Sequence, residues 1–239
     1  MKMLINKIAR KFGIELRKFN PTSSDLARLG TLLVYHKIDL VLDVGANTGQ
    51  YAKSLREAGY SGRIISFEPL SSVYDKLKLA SKKDSLWEVA QRAAIGDKDG
   101  DISINIANNT QSSSVLPMLE SHLQAAPESE YVDSETVKLY RLDTIATQYI
   151  DDRYESIYLK IDVQGYELQV LEGSTLLLPR IKGIQLELSL VPLYEGEPVF
   201  RDMLDKLDQL EYELHAVIPG FTDTNSGRLL QLDGIFFRK

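Results

Sequence analysis

The run Val41-Leu-Asp-Val-Gly-Ala-Asn-Thr-Gly-Gln-Tyr51 constrains this chain more than any other stretch. A short apolar segment leads into Asp43-x-Gly45-x-Asn47-x-Gly49 and then into a helical pattern. Nineteen residues after Gly49, Glu68 closes the apolar run Ile64-Ile-Ser-Phe-Glu68. Strand, glycine turn, helix and an acid at the tip of the next strand form the layout of a nucleotide-cofactor cradle. The helix N-terminus offers unpaired N–H groups there, and the distant carboxylate can accept from ribose hydroxyls.

The spelling of the turn narrows the ligand. A dinucleotide fingerprint reads G-x-G-x-x-G and brings an anionic pyrophosphate to the helix end. Here Asp43 precedes Gly45-Ala-Asn-Thr-Gly49, and an acid in that place repels pyrophosphate. It suits a cationic, zwitterionic cofactor such as S-adenosylmethionine. Asp43, Gly45, Asn47, Gly49 and Glu68 are therefore expected to bind the cofactor. An NAD-dependent oxidoreductase and an inert domain whose glycines merely make a tight turn are the competing readings.

At 239 residues the chain can bury a sizeable core, and no linker or composition shift divides it. One α/β domain over 25–239 is expected, with an N-terminal extension over 1–24. Cysteine is absent, which excludes disulfides and thiolate chemistry, and the three histidines are too scattered for a histidine-rich metal site. No apolar run approaches the ~18 residues of a membrane span, so a soluble, cytoplasmic or peripheral protein is expected. Six bases against Glu15 give residues 1–19 a net +5, which leaves −11 for the remainder of a chain whose total is −6. So acidic a body argues against nucleic acid as substrate. Placed on a helical wheel, Leu4, Ile5, Ile8, Phe12, Leu16 and Phe19 fall within an arc of about 120°. Packing of that face on the domain and contact with an anionic membrane through residues 1–19, at its inner face, are the two readings.

Beyond the extension, a helix is expected over 25–37, then strands at 40–44, 63–67 and 87–90 alternating with helices at 48–58 and 71–80. That alternation predicts a parallel sheet with helices on both faces. Residues 93–100 read as a turn, and Ile102, Ile104 and Ile106 alternate as a strand. Residues 108–135 are polar, serine-rich and too long for a simple connection, and read as a mobile loop or a lid. Further strands are expected at 137–140, 156–161, 184–189, 213–218 and 234–238, with short helices at 142–150 and 166–171 and a longer one at 199–210. The last two strands are expected to pair antiparallel.

Ligands of such sheets gather at the carboxyl ends of the strands. Besides Asp43 and Glu68, this places Asp162 and Glu187 at the site as candidate catalytic residues. Either could take the proton of a hydroxyl group or orient an acceptor, hold a divalent cation, or simply anchor a loop. No metal is assigned. Lys160 and His122 read as a structural lysine and a solvated loop histidine, with His36 and His215 at a helix end and in a strand.

Together these motifs resemble the FkbM-type family of S-adenosylmethionine-dependent O-methyltransferases. The resemblance rests on 41–49, Phe67-Glu-Pro69, Ala93-Ala-Ile-Gly96, Arg141-Leu-Asp-Thr144, Leu159-Lys-Ile-Asp-Val-Gln-Gly-Tyr-Glu167 and Leu171-Glu-Gly173. It implies a Rossmann-like class I methyltransferase, with a mostly parallel seven-stranded sheet and an antiparallel last strand. It also implies methylation of a hydroxyl, often on a sugar of a glycan or glycolipid, so that the partner is a small-molecule or glycan acceptor. The usual family element has Glu where this chain has Gln164. A cofactor-binding scaffold without turnover is the remaining alternative.

Overall fold

The computed structural model describes residues 2–239. Its frame is a seven-stranded sheet whose central strands, β1 (Leu40–Val44) and β7 (Ile157–Ile161), are apolar along their whole length apart from Asp43 and Lys160 and are buried on both faces. Continuous apolar strands of this kind suit a parallel sheet covered on both sides. Each finds its neighbours in register: Leu40 stands opposite Arg63 of β2 (Arg63–Phe67) and opposite Ile157 of β7. With β3 (Trp87–Val89), β8 (Ile181–Ser189), β9 (Tyr212–Pro219) and β10 (Gln231–Arg238), the order is β3-β2-β1-β7-β8-β10-β9. β10 runs antiparallel to both β8 and β9, as expected of the last strand.

Side-chain alternation divides the core into two layers. Val41, Ile64 and Tyr158 face α2 (Asp25–Tyr35), α3 (Gln50–Glu57) and Leu77 of α4 (Ser71–Ser81). Leu40, Leu42, Leu159 and Leu186 face the opposite layer, made by α6 (Leu142–Ile145), α7 (Glu167–Glu172) and α8 (Phe200–Gln209). α2 begins at Ser24, whose hydroxyl accepts the Ala27 N–H and so satisfies one of the open amides of the first turn.

Three expectations are corrected. Residues 94–96 are not a turn: β4 (Ala94–Gly96) pairs parallel with β6 (Tyr131–Arg141), which pairs antiparallel with β5 (Gly100–Ala107) in a separate three-stranded sheet. Residues 108–135, read as a mobile loop or a lid, are not loop throughout. They hold α5 (Glu120–Ala125) and the start of β6, and Leu116, Met118 and Ala125 pack on Leu193, Tyr194 and Leu230. The amphipathic helix predicted toward Phe19 stops early: α1 spans Lys2–Arg10, and Gly13 at φ 71° turns the chain back. The side chains of Leu4 and Ile8, two members of the predicted arc, lie outside the described ones.

Candidate cofactor and acceptor site

A cavity of about 440 Å³ opens at the carboxyl ends of β1, β2, β7 and β8 and the amino end of the antiparallel β10, a size ordinary for a small-ligand site. Its first wall is the β1–α3 loop. Gly45 at φ 81° and Gly49 at φ 83° take the left-handed conformation that disfavours a side chain. A Cβ on Gly45 would come within 1.7 Å of the Asp162 carbonyl oxygen, so only glycine lets this loop lie against the β7–α7 turn. The amides of Gly45 and Ala46 both donate to the Phe67 carbonyl. Glu68 completes the tie: it accepts the Asn47 N–H at 2.8 Å and the Leu70 N–H at 2.9 Å. Burial opposes its charge more than those two bonds support it, and its pKa rises from 4.5 to about 7.

The second wall carries the other acids. Lys160 is buried between two of them, with its ammonium 2.9 Å from Asp162 and 3.6 Å from Asp43. Burial works against that ammonium, but the flanking carboxylates prevail and hold its pKa above the usual lysine value. Burial likewise opposes the Asp162 charge. The Lys160 ammonium and the Gln164 amide outweigh it, so the Asp162 pKa falls below the usual aspartate value. Asp162 keeps 33% of its side chain exposed, on the cavity side. Glu187 behaves oppositely. Its burial, reinforced by the charges of Asp162, Asp233 and Glu167, pushes its pKa far upward.

Gln164 joins the two. Its amide nitrogen lies 2.9 Å from Asp162 Oδ1 and 2.5 Å from Glu187 Oε2, and its oxygen accepts from the Tyr194 hydroxyl at 2.8 Å. The residue sits at φ 56° in a turn braced by Glu167, which accepts the amides of Val163 and Gly165. The Ser114 hydroxyl adds a bond to the Gln164 carbonyl at 2.6 Å. Thr110, Gln111 and Ser113 roof the cavity.

Of the sequence-predicted residues, Gly45, Asn47, Glu68, Asp162 and Glu187 line the cavity, and Asp43 and Gly49 do not. Asp43 is fully buried beneath it. It accepts from Ser66, which accepts from the Trp87 indole in turn, and its pKa is raised by burial against the pull of Lys160. Gly49 packs on Trp87, whose ring would stand 2.4 Å from an added Cβ. Lys160 is no peripheral structural lysine but lines the cavity, as do Tyr51, Gln185 and Asp233, which the sequence reading left unassigned. Gln185 and Glu187 alternate on one face of β8, and Asp233 stands opposite Glu187 in β10. Polar residues at that spacing inside a buried strand were the available signal. His122 is not a solvated loop residue: it is buried against Tyr194 and Phe221. Among the described residues, no group of three or more His, Asp or Glu side chains is arranged to hold a metal ion.

The ionisable groups on the wall are the four acids Glu68, Asp162, Glu187 and Asp233 against Lys160. A lining of that sign fits the sulfonium and ammonium of S-adenosylmethionine and disfavours a pyrophosphate. The methyltransferase FkbM domain matches residues 43–214. The chain belongs to this family. It is thus an S-adenosylmethionine-dependent methyltransferase. The chain is 28% identical over 221 residues to 2-O-methyltransferase NoeI from Sinorhizobium fredii, covering 88% of this chain and 86% of that protein. Similar solved structures include magnesium protoporphyrin IX methyltransferase from Synechocystis with bound S-adenosylmethionine (8% identity, TM-score 0.48, 90% of this chain and 78% of that one). TehB from Haemophilus influenzae is another, at 11% identity and TM-score 0.47, where this chain is covered to 90% and spans 62% of that chain.

Proposed function

We propose that the protein transfers a methyl group to a hydroxyl of a sugar, carried by a small molecule or a glycan. The observation that carries this reading is the unequal pair on the cavity wall. Asp162 is held ionised by Lys160 and partly exposed, while burial opposes the charge of Glu187, which is tied to Asp162 through Gln164. When bound, the cofactor supplies an electrophilic methyl group on sulfur. An alcohol is a weak nucleophile, so the proton it loses needs an ionised acceptor within reach, and Asp162 is the group that meets this condition. Lys160 fixes that carboxylate and stays charged. Glu187 lies beside it on the cavity wall, and Gln185, Gln111 and Asp233 offer the paired donors and acceptors that a polyhydroxylated ring requires. NoeI, named a 2-O-methyltransferase, supports the same reaction class.

The test is mass spectrometry after incubation with labelled cofactor and a panel of sugars, nucleotide-sugars and lipid-linked glycans. An alkali-stable methyl ether is expected. A labelled ester or amine overturns the hydroxyl assignment, and cofactor binding with no labelled product across the panel favours a scaffold. With an acceptor in hand, Asp162→Asn should keep cofactor affinity and lower turnover by about 10²–10⁴-fold; equal turnover removes Asp162 as the base.

A further inference from the structure

The N-terminal segment is built as a hook rather than one continuous helix. α1 is followed by a turn in which the Gly13 amide donates to the Arg10 carbonyl and the Ile14 amide to the Ala9 carbonyl. The chain then returns along the helix. Asn6 holds the return with two bonds to the backbone of Leu16, one donated to its carbonyl at 3.0 Å and one accepted from its amide at 2.9 Å. Arg10 and Arg17 both pair with Glu15. These polar groups are satisfied inside the hook, and five of the described apolar side chains are left outside. Phe12 is 77% exposed and Phe19 66%, and Ile5, Ile14 and Leu16 are exposed with them. None of these five joins a hydrophobic cluster of the domain, which excludes packing of this apolar set on the body.

We propose that this hook docks the protein on an anionic lipid surface. Both parts of the surface are needed for that choice. Phe and Ile side chains gain by leaving water for the acyl boundary, and bases beside them gain by approaching anionic headgroups. Residues 1–19 carry +5 and the rest of the chain −11, so a negative surface attracts the hook and repels the body, which sets the orientation. A second copy of the hook would bring two segments of +5 together, and a nucleic acid would match the charge while leaving the five apolar side chains in water.

The test is co-sedimentation of the full chain with vesicles of phosphatidylcholine alone and of phosphatidylcholine mixed with phosphatidylglycerol. Binding is expected only to the mixed vesicles, and it weakens as salt rises. The double variant Phe12→Ser with Phe19→Ser should bind about tenfold or more weakly. Lys11→Glu with Lys18→Glu should abolish the preference for anionic vesicles. Both pairs lie outside the core, so the thermal midpoint should stay at that of the parent, which shows that lost binding is not lost folding. The proposal is overturned if the parent ignores mixed vesicles at low salt, or if the serine pair binds as the parent does. It is also overturned if the serine pair abolishes only self-association seen by sedimentation velocity, or if the hook retains a duplex oligonucleotide in preference to the mixed vesicles.

Discussion

Glu68 ties two loops through its carboxylate and yet favours a proton, and this gives it a distinctive pH signature. Its pKa is 4.5 ordinarily and about 7 in the fold. Between those values the folded chain holds a proton that the unfolded chain has released, so its contribution to stability falls as pH rises through that window and is level above it. Urea unfolding of the cofactor-free protein should show this decline, shallower in Glu68→Gln; Glu167 and Asp233, raised by burial to about 7 and about 6, add declines of the same sign. Ribose hydroxyls donating to Glu68 favour the carboxylate, so cofactor binding below about pH 7 should expel a proton. Calorimetry in buffers of different ionisation enthalpy detects it, and an equal proton count in parent and Glu68→Gln argues against the contact. Gln164 makes a second residue-scale prediction. Gln164→Glu replaces a bridging donor by a third carboxylate, and the added charge raises the pKa of Asp162. The acid limb of the pH–rate profile should move upward by about one pH unit or more, while Gln164→Leu should lower turnover without that displacement.

At the scale of elements, two motifs that carried the family resemblance turn out to stitch the structure together. Asp143, at the start of α6, accepts the amides of Leu176 and Leu177 at 3.1 and 2.9 Å. Arg141 reaches the carbonyls of Asp97 and Glu172. Gly173 lies so close to β4 that an added Cβ would stand 1.8 Å from the Gly96 oxygen. Asp143→Ala leaves the part-buried Leu177 amide unsatisfied and should cost about 1–3 kcal/mol in chemical denaturation, with cofactor affinity little changed once folded. Their letters were legible; their role was not, because it depends on partners some thirty and forty-five residues away. The strands β1, β2 and β7 were readable to within a residue, since burial on both faces writes an unbroken apolar run. The smaller sheet escaped: β4 is three residues long and its pairing with β6 is non-local. The N-terminal helix was overestimated because apolar periodicity continued across Gly13, where the backbone does not. At the site, strand tips with acids were visible one at a time, but the link from Asp162 through Gln164 to Glu187 needed the turn geometry.

The whole molecule gathers its site from distant parts of the chain, with walls at 44–70 and at 160–233 meeting where Val44 pairs with Ile161 and further lining from 93–115. Saturation with S-adenosylmethionine at ~100 times its Kd adds about 2.7 kcal/mol, which for a domain of this size raises the thermal midpoint by roughly 5–10 °C. NAD at the same concentration should leave it unmoved; an equal rise with NAD contradicts the charge argument for the cavity. The same topology has a kinetic face. Long-range strand pairing is slow to form, and a cavity whose walls lie more than a hundred residues apart in sequence does not exist until that pairing is complete. A ligand held there cannot reward the climb to the barrier, only deepen the basin beyond it. Abundant cofactor therefore acts as a brake on opening: it prolongs the lifetime of molecules already folded and does nothing to hasten those still searching for their strands.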